Sequence, residues 1–347
     1  MEQVNLKQLA NKLGLSSSTV SRALQDSHRV SQATKLRVKN LAEAYNYRPN
    51  PHARSLREQQ SKTIAVVVPK VATHIIGQSI DGIEAVARRH NYHVLLYLTH
   101  ANPAQEVAVA HYLLDGRVDG VLYWPASGDQ AAGRLPQLLG QQLPLVVFGS
   151  TRADALTTSV TTDDYHNSYD ATAHLLAGGA RCIAQLLAAG SAPSLTNPSV
   201  LGYAEALRAR GLPFRENLVV CEAASAEQTQ LQLQALLLNQ PQLDGLLATT
   251  ESLVLRCYRA CQQLGRRIPD DIQLVGLAPP DIAALFSPPL TTLSQPGYTI
   301  GEEAATLLLR ALTTGRPLVP SQSRQLRGVL VARASTHAVA PLPSSRC

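Results

Sequence analysis

The chain has 347 residues, 45% of them apolar, and a formal net charge of +6. That apolar share excludes a disordered chain, the length allows two or three domains, and no run of about 18 apolar residues is present to cross a bilayer. The charge is unevenly placed. Residues 1–60 carry ten of the 31 basic and four of the 25 acidic side chains, so the remainder holds 21 of each sign. A basic head on a neutral body implies a polyanion held by the head.

The opening "MEQVNLKQLANKLG" lacks the charged stretch and apolar block of a secretory signal, which predicts a cytoplasmic protein. The cysteines Cys182, Cys221, Cys257, Cys261 and Cys347 are scattered and odd in number. Without paired or metal-binding spacing they read as free thiols in a reducing compartment, with no disulfide and no zinc.

From Asn5, apolar residues at Leu6, Leu9, Ala10 and Leu13 follow the spacing of an amphipathic helix. Gly14, tolerant of left-handed backbone, ends it. Ser16 is an N-cap for a second helix with an inner face of Val20, Ala23 and Leu24. A third helix, capped by Ser31, packs through Val38, Leu41, Ala42 and Tyr45. The short link between the first two makes a helix-turn-helix.

Five hydroxyls among residues 16–21 are unexpected, because such side chains compete for backbone hydrogen bonds and are mediocre helix formers. With the inner face assigned, Ser17, Ser18, Ser21 and Arg22 project outward. In a helix-turn-helix that surface enters the DNA major groove, where short hydroxyls allow close approach and arginine reaches bases or phosphates. A capped, solvated polar face is the alternative. Next comes "YRPNPHARSLREQQSK". Asn50 caps and Pro51 suits a first helical position, predicting a helix to about Arg57. At roughly seven residues it falls short of the ~12–15 needed for independent stability. Leu56 has no core to join there and fits an apolar wedge for the minor groove; a plain linker is the alternative.

After Ser61 the pattern alternates. "TIAVVVPK", "HVLLYLT", "DGVLYW" and "LPLVVFG" read as buried strands, with helices through Ile80, Ile83 and Ala87, at "AQEVAVAHYLLDG" and at "AAGRLPQLLGQQ". A second series begins with "TTSVTTDDY" and continues through "CIAQLLAAG", "NLVVCE", "LDGLLATT" and "IQLVGLA". This is the pattern of doubly wound parallel sheets, which bind ligands beyond the carboxyl ends of their strands. Trp124 follows such a strand, where it either stacks on a ligand or fills an inter-lobe core; Asp164 is expected to cap the helix that opens the second series. No GxSxG, GxxxxGK[ST] or HExxH occurs, so a non-enzyme without cofactor or metal is expected.

"VNLKQLANKLGLSSSTVSRALQ", "RVSQATKLRVKNLAEAYNYRPNPHARSLR" and "SPPLTTLSQP" resemble the LacI/GalR family of bacterial transcription regulators over essentially the whole chain. The resemblance implies an all-α helix-turn-helix headpiece plus hinge helix, then an α/β core of two doubly wound parallel-sheet lobes like periplasmic binding proteins. It implies a repressor that grips a pseudo-palindromic double-stranded DNA operator as a homodimer in the cytoplasm, at the bacterial nucleoid. Ser16, Ser17, Ser18, Ser21 and Arg22 would serve the major groove. Asn50, Ala53 and Arg54 would belong to the hinge, and Leu56 would be its wedge. The expected divisions are headpiece 1–48, hinge 49–60, core 61–340 and tail 341–347, the core comprising an N-lobe (about 62–161 and 291–320) and a C-lobe (about 162–290 and 321–338). The tail "AVAPLPSSRC" has no leucine heptads, which favours a dimer over a coiled-coil tetramer.

A small-molecule effector would sit between the lobes, but the family's sugar-binding pattern is broken there. Thr73, His74, Ile75 and Ile76 stand where Asn-Pro-Phe-Phe is usual. Gly149 replaces an aspartate, Ser199 an arginine, Glu251 an aspartate, and Ala278 and Pro279 an aspartate pair. Sugar hydroxyls are normally held by charged, planar groups, so the expected effector is smaller or more apolar than an ordinary hexose, or the site is partly eroded. A solute-binding protein or sugar-active enzyme on the same two-lobed fold is the competing reading, which the basic headpiece disfavours.

Overall fold

The computed structural model describes residues 4–24, 26–47, 60–71, 73–126, 134–149 and 157–338. The chain divides into two units, Met1–Ser61 and Lys62–Cys347.

The first unit holds three helices: α1 (Leu6–Leu13), α2 (Ser17–Leu24) and α3 (Gln32–Ala44). Asn5 accepts from the Gln8 backbone while Gln8 reciprocates, a capping box that satisfies two orphan N–H groups. Gly14 closes α1 at φ 66°, in the left-handed region. Leu9, Val20, Ala23 and Val38 are fully buried between the helices, each of the larger ones contributing about 1.5–3 kcal/mol. Tyr45, expected in this core, is exposed. It caps α3 outside the inner face, and the chain folds back so that Tyr47 N–H bonds Ala42 O and Tyr47 packs on the cluster instead.

The second unit opens with β1 (Thr63–Val68), α4 (His74–Arg89), β2 (His93–Leu98), α5 (Pro103–Tyr112), β3 (Gly120–Tyr123), α6 (Arg134–Leu139), β4 (Leu145–Gly149) and β5 (Ser159–Thr162). It continues through α7 (Asp164–Ala177), β6 (Ile183–Leu187), α8 (Pro198–Ala209), β7 (Val219–Cys221), α9 (Ala226–Asn239), β8 (Gly245–Ala248), α10 (Glu251–Gln263) and β9 (Gln273–Gly276). The last elements are α11 (Pro280–Ala283), β10 (Thr291–Ser294), α12 (Gly297–Thr314), β11 (Arg324–Leu326) and β12 (Val329–Val331).

Two six-stranded sheets form, ordered β11-β5-β4-β3-β1-β2 and β12-β10-β9-β8-β6-β7. All pairings are parallel except β12 with β10. Strands covered on both faces carry uninterrupted apolar runs, as in "IAVVV" and "GVLY".

Two boundaries differ from the sequence reading. Strand β5, whose segment heads the second series but lies within the N-lobe bounds, pairs with β4 in the first sheet. Strand β10, assigned to the N-lobe, pairs with β9 in the second sheet. Strand β11, assigned to the C-lobe, extends the first sheet by pairing with β5. Hydrogen-bond register decides these memberships, and short strands such as these carry no periodicity that names a partner. The chain therefore passes between lobes three times, after β5, β10 and β11. Asp163, not Asp164, caps α7 by accepting from His166 N–H; Asp164 accepts from the Thr162 hydroxyl instead.

Helices α4 and α12 pack closely in the first lobe because glycines leave room. A Cβ on Gly301 would lie 1.9 Å from Ser79 O, and one on Gly82 would lie 2.2 Å from Tyr298 O. The Ser79 hydroxyl donates to Ile75 O and Gly297 O at 2.8 and 3.0 Å, joining the two helices. Gly301→Ala is expected to lower stability by about 1–3 kcal/mol through overpacking against backbone, read as a reduced urea midpoint.

Candidate nucleic-acid interface and inter-lobe cleft

In the headpiece, α2 follows α1 after three residues, Gly14 to Ser16. The Ser16 Oγ accepts from Thr19 N–H at 3.1 Å and lies 2.9 Å from Ser18 Oγ, so it is the expected cap. Ser17, Ser18 and Arg22 are exposed and Ser21 is half-buried, on the side of α2 opposite buried Val20 and Ala23. The hydroxyl surface is thus held outward by the core on its back. Asn50, Ala53, Arg54 and Leu56 lie outside the described residues, as does the tail after residue 338.

One feature of this unit escaped the sequence reading. Lys35 is buried, its ammonium donating to Asp26 O at 3.0 Å and paired with the Asp26 carboxylate at 3.1 Å. A buried ammonium needs such partners. Hydrogen bonding from Lys35, helped by its charge and that of Lys39, holds the Asp26 carboxyl below its ordinary pKa. Because the folded pKa is the lower one, this stabilisation is present above the ordinary carboxylate range and is lost as pH falls. The pair fixes the turn between α2 and α3. The other described headpiece cations, Lys7, Lys12, Arg22, Arg29, Arg37 and Lys39, are exposed.

In the second unit, His74, Ile75, Glu251 and Ala278 come together, as expected, around one cleft between the lobes, with an empty volume of about 310 Å³ including its open mouth. Gln78, Leu277, Pro279, Pro280, Leu293, Ser294 and Gln295 complete it. Gln78 lies one turn beyond His74 and Gln295 follows β10, and neither had been singled out from the sequence. A Glu251 oxygen accepts the backbone N–H of His74 across the cleft at 3.2 Å. Thr73 precedes α4 without capping it, and its hydroxyl oxygen is buried with no hydrogen-bond partner among the described residues.

The other three expected effector residues are engaged elsewhere. Ser199 is buried inside the second lobe, its hydroxyl 2.7 Å from Ser168 Oγ and accepting from Gln185 Nε2 at 2.8 Å. A serine is too short to reach the cleft from that helix turn, and its hydroxyl is satisfied at home. Trp124 lies against Phe148 edge-on, ring centroids 5.4 Å apart, and against Gly149. Gly149 has φ +82°, and a Cβ there would sit 2.0 Å from the indole. Of the two alternatives for Trp124, an inter-lobe core position does not hold: it packs on the first lobe's own core, over the carboxyl ends of β3 and β4.

Residues 5–50 match the family described as bacterial regulatory proteins, lacI family, and residues 172–336 match the periplasmic binding protein-like domain. The transcriptional repressor CytR of Escherichia coli is 30% identical over 96% of this chain and 96% of its own length. Catabolite control protein A of Priestia megaterium is 26% identical over 96% of this chain and 99% of its own. Among solved structures, a transcriptional regulator CelR–cellobiose complex is 26% identical, with TM-score 0.70, and covers 96% of this chain and 99% of that one. The Lac repressor dimer bound to operator and an anti-inducer shares the fold at 23% identity, with TM-score 0.81 and 97% of this chain covered against 100% of that one. An exposed hydroxyl-rich helix on a basic three-helix unit and a two-lobed, triply crossed core therefore occur together in a chain that belongs to the lacI family of bacterial regulatory proteins, transcription regulators that bind DNA.

Proposed function

We propose that this regulator is a repressor that holds a pseudo-palindromic operator as a homodimer in the bacterial cytoplasm, and that a small effector in the inter-lobe cleft modulates its grip. The observation that carries the reading is the surface of α2: Ser17, Ser18 and Arg22 stand exposed on the face opposite buried Val20 and Ala23. This is the side a recognition helix turns to the major groove. Residues 49–60 form the hinge in this reading, with Leu56 as the minor-groove wedge. The Lac repressor in the similar structure is a dimer on its operator, and two half-sites one helical turn apart require two headpieces.

Support for the effector comes from the cleft lining. His74, Gln78, Glu251 and Gln295 supply polar groups, while Ile75, Ala278, Pro279, Pro280 and Leu293 supply apolar walls. Among the described residues the lining holds no arginine or lysine, which favours an uncharged ligand, smaller or more apolar than a hexose. CelR, in its complex, binds cellobiose. A partner copy is supported by apolar surface on the second lobe. Leu285 is 83% exposed and Leu255 60% exposed, flanking Phe286 and Tyr258, which stack at 4.6 Å.

Duplexes selected from a genomic library by the purified chain test the reading. Affinity is expected to fall steeply with added salt, because releasing the counterions condensed at the phosphates then gains less free energy. Arg22→Ala is expected to cost about 1–3 kcal/mol on a selected duplex if it reads a base, and much less on scrambled sequence, measured by anisotropy. An equal loss on both reduces Arg22 to a phosphate contact, and no binding to any duplex at low salt defeats the reading. Leu285→Asp is expected to shift the sedimenting species from dimer toward monomer at micromolar concentration.

A further inference from the structure

Two side chains stand out on opposite lobes: Trp124 at the end of the first sheet, and Glu251 in the cleft. On the first lobe, the Trp124 indole covers Gly149 at the carboxyl ends of β3 and β4, the place where ligands meet such sheets. The space is closed to any side chain at position 149: a Cβ would lie within 2.3 Å of three indole carbons, on backbone already left-handed. On the second lobe, Glu251 occupies the first turn of its own helix α10 and also accepts the N–H of His74, the first residue of α4. One carboxylate is thus set between the amino ends of two helices that belong to different lobes. Both ends favour an anion, because their partial positive charges add.

From these contacts we infer that the Glu251 carboxylate bridges the lobes while the Trp124 indole covers the ligand-facing end of the first sheet, so that the core stays closed with no small molecule bound. The inference rests on the reading of this cleft as the effector site. It adds that closure is built into the chain, and that an effector acts by displacing the Glu251 bridge rather than by drawing open lobes together. Reach is part of the argument, since the contact is already 3.2 Å long and an aspartate at 251 is one methylene shorter.

Hydrogen exchange and small-angle scattering on the ligand-free full chain test the bridge. Glu251→Ala and Glu251→Asp are expected to speed exchange of the His74 amide several-fold and to enlarge the radius of gyration. Glu251→Gln, which keeps an acceptor at the same reach but loses the charge, is expected to fall between wild type and Glu251→Ala. Trp124 is the only tryptophan, so its fluorescence reports the covered sheet end. Acrylamide is expected to quench it several-fold less than free N-acetyltryptophanamide, and Gly149→Ala to raise that quenching. Glucose at millimolar concentration is expected to change neither the scattering nor the fluorescence. An unchanged His74 amide and radius in Glu251→Ala, quenching equal to the free compound, or compaction on adding glucose would each overturn the inference. None of these measurements involves DNA, so their failure leaves the regulator reading standing, and failure to bind duplex leaves the closed cleft standing.

Discussion

Three passages of backbone between two sheets govern everything the core can do. They run after β5, β10 and β11, and they are tied to one another. Asp163 N–H donates to Leu326 O at 3.0 Å, and Gly328 N–H donates to the Asn167 side chain at 2.8 Å. Arg327 forms an ion pair with Asp170 of α7. Gly328 packs so closely that a Cβ would lie 3.0 Å from Ser294 O, on the passage after β10. With three covalent connections gathered along one edge, the lobes can rotate about it but cannot part there. This is the hinge arrangement that lets a ligand between lobes shift a conformational equilibrium. The cleft begins at this edge, since Ser294 and Gln295 line it.

Rigid pairs of helices extend from the hinge into each lobe. In the first, α12 starts directly after a passage and packs on α4 through Gly82, Gly297 and Gly301. In the second, α7 starts directly after another passage and packs on α8, where a Cβ on Gly202 would lie 2.1 Å from Tyr165 O. Close helix contact of this kind transmits displacement, because packed interiors deform little. His74, at the first residue of α4, therefore moves with α12 and with the hinge.

The departures at 149 and 199 are each accommodated inside one lobe. Glycine at 149 makes room for Trp124, and serine at 199 joins Ser168 and Gln185 in a buried cluster. Buried polar groups need partners, and the hydroxyl that replaces an arginine found them inside its own lobe. In the sequence these substitutions stand out only as departures from a family pattern. The structure turns them into contacts.

The headpiece was legible because its signals are local. Leu9, Val20 and Val38 fall at helical spacing, Ser16 and Ser31 stand at cap positions, and the basic charge is concentrated in the first 60 residues. Alternating strands and helices announced the two-lobed core for the same reason: the apolar runs of the inner strands reflect cover on both faces, although β2, at a sheet edge, leaves Leu95, Leu96 and Leu98 exposed. Tertiary structure alone decided which sheet β5, β10 and β11 join, that Ser199 turns inward, that Trp124 rests on Gly149, and that Glu251 spans to His74. Each of those depends on residues between 12 and 177 positions apart meeting in space, and a side chain's periodicity describes its neighbours on one element, not its partner on another.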